Sequence, residues 1–165
     1  MKHLLIIACF CSLSLSWSQS KLEMTPQGFA PVEAQTPNKP LEKLMALSKS
    51  WAAYYNKNGY DVFDVTDKSL TIGAVKENAY FYRNFGVQYD YNIKYTLKIN
   101  FTQNQQYVLT FTVNEIYANE VLTQTKISDF YTPNGKLKDD FEEVKPSLES
   151  TVNKIIKSYS NYLVN

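Results

Sequence analysis

Residues 79–91 read AYFYRNFGVQYDY and hold six aromatics within twelve positions: Tyr80, Phe81, Tyr82, Phe85, Tyr89 and Tyr91. A tyrosine joins an apolar ring to a polar tip, which suits stacking on a sugar or packing in a protein interface. Tyr80, Tyr82, Phe85, Tyr89 and Tyr91 are therefore the candidate partner surface, for a glycan, another protein or a second copy of the chain. A structural reading stands beside it. Tyrosines facing each other across two strands stabilise a sheet without binding anything, and residues 116–135 are available to fold over them.

Other groups that could do chemistry are few. The chain opens MKHLLIIACFCSLSLSWSQS, with Lys2, an apolar run from Leu4 to Leu15, and small residues at Ser16 and Ser18. This is the layout of a secretory signal peptide (1–18) cut after Ser18, leaving Gln19 first and placing the protein in the periplasm or outside the cell. The run is too short and too serine-rich to span a membrane, which takes ~20 apolar residues. Ile6-Ile7-Ala8-Cys9 also resembles a lipoprotein box, with lipid on Cys9. Only five apolar residues precede that cysteine, against ~7–15 in a typical signal core, which favours cleavage after Ser18.

Cleavage would remove His3, Cys9 and Cys11, the only imidazole and the only thiols. The mature chain then has no Cys–His or Ser–His–Asp catalysis, no Cys/His zinc site and no disulfide. No Gly-rich phosphate loop is present, so no cofactor is implied. What remains are carboxylates. Asp139, Asp140, Glu142 and Glu143 form an acidic run before the last helix, where the helix dipole gives them a structural role. Asp61, Asp64 and Asp67 lack the spacing and glycine of a calcium loop. A glycosidase-like pair acting on polysaccharide or peptidoglycan is the catalytic alternative to a non-catalytic binding module. Without Lys2 the chain carries sixteen basic and sixteen acidic side chains. That zero balance argues against a nucleic-acid partner.

The elements that must position these residues follow from periodicity. From Val87 to Phe101 every odd position is apolar or aromatic and every even one polar, a two-residue period that only a strand satisfies. Tyr107, Leu109, Phe111 and Val113 repeat the pattern after a polar turn at 103–105, giving an antiparallel pair. Tyr60–Val65 and Leu70–Val75 read as a hairpin, and Phe29–Ala34, with Pro31, as an edge strand. Residues 19–28 read as a flexible leader and Val121–Ile127 as a short strand. Leu41, Leu44, Ser48, Trp51 and Tyr55 trace a helix over 41–58, with Asn38 as its cap and Asn58-Gly59 as its stop. Leu148, Val152, Ile155, Tyr159 and Tyr162 trace a second over 147–163. One apolar sheet face and two one-striped helices predict a two-layer α+β sandwich over 29–165, an antiparallel sheet of four to six strands with both helices on one face. An 18-residue helix covers ~27 Å, about eight strand residues. The long strand must therefore outrun the helices, and residues 80–91 form an arm beyond them.

The order of elements, and the run PNKPLEKLMALSKSWAAYYNKN leading into DVFDVTDKSLTIGAV, resembles secreted Bacteroidetes proteins that carry the DUF4468 domain, over Phe29 to Leu163. The resemblance implies a TBP-like fold in the order β-α-β-β-β-β-α and a place in the bacterial cell envelope. It brings no established activity and transfers no functional residue. TBP-like describes the fold alone and imports no DNA binding.

Overall fold

The structure, a computed structural model, describes residues 21–165; the expected signal peptide (1–18) and the expected lipid site at Cys9 lie outside the described residues. In chain order it contains β1 (Met24–Thr25), β2 (Gly28–Phe29), β3 (Val32–Gln35), α1 (Leu41–Tyr55), β4 (Tyr60–Phe63), β5 (Ser69–Asn84), β6 (Val87–Phe101), β7 (Gln106–Ala118), β8 (Val121–Leu122) and α2 (Val144–Val164). Strands β3 to β8 make one antiparallel sheet in the order β3-β7-β6-β5-β4, with β8 paired to the far end of β7. The short strands aside, this is the expected β-α-β-β-β-β-α sandwich.

Alternation decides which side of the sheet is buried. Ile93, Tyr95, Leu97 and Ile99 of β6 are fully buried, whereas Lys94 and Lys98 between them are exposed. Each such Leu or Ile stabilises the fold by about 1.5–3 kcal/mol. The Tyr95 hydroxyl donates to Asn56 Oδ1 at the end of α1 (2.7 Å), and the Tyr107 hydroxyl donates to Ser160 Oγ on α2 (2.9 Å). Tyr107 pairs with Phe101, which lies on the same side of β6 as Tyr95. Both helices therefore cover one face. They also meet each other, with Trp51 fully buried against Tyr159 and the Ser48 and Tyr159 hydroxyls hydrogen-bonded at 2.9 Å.

Two irregularities keep long strands in phase with the core. In β7, Asn114 is an extra residue between the pairs Tyr95↔Val113 and Lys94↔Glu115, which turns Ile116 inward instead of Glu115. In β5, Lys76 pairs with Ile93 and Tyr80 with Tyr91, so two more residues are spent on β5 than on β6. An even insertion preserves the side, and Tyr80 and Tyr82 stay on the helix face.

Several boundaries differ from expectation. Residues 21–28 are packed: Leu22 and Met24 are buried, and β1–β2 is a small hairpin. The Met24 N–H donates to Glu149 Oε1 (2.8 Å), Asn153 clasps both backbone groups of Leu22, and the Tyr131 hydroxyl donates to the Met24 carbonyl. A leader reading from local polarity misses partners supplied by α2. The edge strand is Val32–Gln35, beginning after Pro31. Helix α1 starts at Leu41, with Pro40 in the cap position and no side-chain cap, so Asn38 does not cap it. It ends at Asn56, whose amide donates to the Ala52 carbonyl while its oxygen is held by Tyr95. Helix α2 begins before Pro146, which is tolerated because the first turn needs no N–H there. Beyond β8, the stretch expected as strand to Ile127 gives way to a 3-10 turn at Ile127–Phe130.

Candidate functional site

Strand β5 does not stop at Val75. It continues to Asn84 and pairs with β6 through Tyr80↔Tyr91, Tyr82↔Tyr89 and Asn84↔Val87, so residues 80–91 form a β-hairpin arm. Its two-residue turn is Phe85-Gly86, with φ of 47° and 79°. Both positive angles mark a type I′ turn, the form whose twist matches a two-residue hairpin.

The five candidate residues divide along this arm. Tyr80 and Tyr91 stack with ring centroids 4.9 Å apart and planes at 2°. Phe130 meets Tyr80 edge-on at 5.9 Å, and Phe141, 4.9 Å from Phe130, lies 5.8 Å from Tyr82. The 3-10 turns Ile127–Phe130 and Asp139–Phe141 thus fold over the base of the arm. Tyr80 is buried there, and burial pushes its phenol well above the ordinary tyrosine range, with Tyr91 adding to the shift. Tyr82 and Tyr91 are half-buried. Toward the turn nothing covers the arm among the described residues. Phe85 is 99% exposed, Val87 53% and Tyr89 45%. Polar contacts brace the other side: Arg83 Nη1 reaches Glu143 Oε1 at 2.5 Å and Arg83 Nη2 reaches Gln88 Oε1 at 3.2 Å.

The carboxylates do not converge. Glu143 serves Arg83, and Asp139 forms an exposed pair with Lys136 at 3.5 Å. Asp61, Asp64 and Asp67 are all exposed. Among the described residues no three carboxylates, histidines or cysteines are grouped to hold a metal. A cleft of about 300 Å³ beside α2 has one carboxylate on its wall, Glu149, with Lys21, Lys154 and Lys157. Glu149 Oε1 is occupied by the Met24 N–H and by Lys145 Nζ at 3.0 Å. A second cleft, about 420 Å³, opens beside β7 between Gly28 and Ile127 and has no carboxylate in its lining.

The sequence places the aromatic arm and offers residues 116–135 as its cover, which Phe130 supplies; Phe141, outside that range in a stretch without periodicity, is the part of the cover it misses. It also missed Glu149, a charged residue beside an apolar stripe. That position was the available signal, since an unpaired charge there is costly.

No protein-family description matches the sequence, and no curated protein does. Solved structures do. A TBP-like protein from Parabacteroides distasonis ATCC 8503 superposes with a TM-score of 0.60 at 14% identity, covering 82% of this chain and 92% of its own. A DUF4468 family protein from Bacteroides ovatus ATCC 8483 superposes with a TM-score of 0.53 at 10% identity, covering 78% of each. The protein is thus of the TBP-like α+β class. Both neighbours come from Bacteroidetes, in keeping with the resemblance seen in the sequence; at these identities they share its architecture.

Proposed function

We propose that the protein is a non-catalytic binding module of the bacterial cell envelope, exported to the periplasm or surface, that grips an envelope protein or glycan with the tip of its β-hairpin arm. The observation that supports this reading is Phe85. It is 99% exposed and occupies a left-handed position, φ 47°, where type I′ turns favour Asn, Asp or Gly. A bulky residue there costs about 1–2 kcal/mol of backbone strain and returns nothing to the fold. A fully exposed ring held at such a cost, with Tyr89 nearby, is what an anchoring contact requires.

The test is capture from envelope extract on the immobilised mature protein. Wild type is expected to retain a protein or glycan that Phe85→Asn loses about tenfold, a change that keeps the turn and removes the ring. Equal retention by both overturns the assignment to the tip. Export is tested separately: N-terminal sequencing of the cell-derived protein should begin at Gln19, while an intact Met1 in the cytoplasm would refute it.

A further inference from the structure

The neutral total conceals a separation of charge. Residues 39–58 and 144–165, the helix layer, carry seven lysines and two glutamates; the other described residues carry nine basic and fourteen acidic side chains. The helix layer is thus +5 and the remainder −5. One of its two glutamates, Glu149, is buried and paired with Lys145, which leaves Glu42 as the exposed acid of the layer. Lys43 and Lys49 on α1, Lys57 just past its end, and Lys154 and Lys157 on α2 are all exposed, and none pairs with a carboxylate among the described residues. Lys154 and Lys157 stand opposite the buried stripe of Leu148, Val152, Ile155 and Tyr159. Because both helices cover one face of the sheet, their lysines share one outer surface, and Lys21 joins it at the cleft beside α2.

We infer that this outer face of the helix layer docks on an anionic lipid surface. Charge complementarity is the first support, and composition is the second. Tyr54, 59% exposed, lies 5.4 Å from the Tyr162 ring, with Lys57 Nζ above it, and Leu41 and Val164 are also exposed. Lysines with long apolar stems beside tyrosines tipped by hydroxyls are the side chains that settle at a membrane–water boundary. The layer has no arginine, the chain's only one being Arg83. Lysine is a point charge suited to a diffuse field of headgroups, whereas bidentate reading of phosphates in a nucleic acid or phosphopeptide favours arginine. Zero net charge over residues 21–165 therefore does not describe what this face presents. The docking is independent of what the hairpin tip binds.

Sedimentation of the mature protein with vesicles tests this. Wild type is expected to pellet with vesicles of phosphatidylglycerol and phosphatidylcholine in equal parts, to stay in solution with phosphatidylcholine alone, and to be released at about 0.5 M salt. Replacing Lys154→Gln with Lys157→Gln should lower the partition about tenfold or more, since each lysine near an anionic leaflet contributes roughly fivefold. Lys68→Gln with Lys98→Gln removes the same charge from outside the helix layer and should change it less than about twofold. Absence of binding to anionic vesicles at low salt overturns the proposal. So does an equal loss in both double variants, or retention on duplex DNA without retention on vesicles.

Discussion

Tyr80 and Phe85 belong to one short aromatic run, on one hairpin, and their surroundings are opposite. Tyr80 is enclosed by Tyr91 and Phe130 and is 4% exposed; Phe85 is 99% exposed. The run is equally aromatic at both places. What separates them is a different stretch of chain, residues 127–141, which reaches the base of the arm and stops short of the turn. Aromatic density alone therefore does not mark a binding site. A ring becomes available to a partner only where no other part of the same chain covers it.

The sharpest way to break this comparison is to empty the base. Tyr80→Ala or Phe130→Ala should lower unfolding free energy by about 3–5 kcal/mol in urea titration, the range for a buried aromatic lost to a cavity. A loss below ~1 kcal/mol would mean that the base is not part of the core. The same burial predicts an alkaline limit. Tyr80, Tyr95 and Tyr159 have phenols raised above the ordinary value of 10.0, chiefly by desolvation. The unfolded chain releases those protons first as pH rises. Their stabilising contribution is thus complete below pH 10 and is lost above it, so the urea midpoint should hold up to about pH 10 and fall beyond.

Glu149 gives an intermediate effect. Glu149→Leu leaves the Met24 N–H without its acceptor, and a buried unsatisfied donor costs about 1–3 kcal/mol. Limited proteolysis should then cut within residues 21–29 before it reaches the sheet; unchanged resistance there would refute the clamp. The tip should respond in the opposite direction. Phe85→Asn relieves the left-handed strain and should raise stability by about 1 kcal/mol, seen as a rise in Tm of a few degrees. A marked fall would show that the ring packs on the fold. The smallest change is expected from Arg83→Ala. Its pair with Glu143 is about half exposed on both sides, so the loss should lie near 0.2–1 kcal/mol and shrink with added salt.

Much of the fold is legible from side-chain order alone. The two-residue period of Val87–Phe101 and Tyr107–Val113 and the helical stripes of Trp51 and Tyr159 each have one apolar side, and one sheet face is enough to bury them all. The continuation of β5 was hidden by Lys76-Glu77-Asn78-Ala79, which breaks alternation where two extra residues enter the strand. The packing of Leu22 and Met24 was hidden for another reason. Their partners, Asn153 and Glu149, lie more than a hundred positions away.

By itself, then, the order of residues determined the two layers and which positions face inward, because burial periodicity is a local property of strands and helices. Only the tertiary structure decided which aromatics are covered, where Phe85 stands, and that lysines scattered along two helices gather on one surface. Those outcomes depend on segments meeting across the chain, and no window of local sequence contains both members of such a contact.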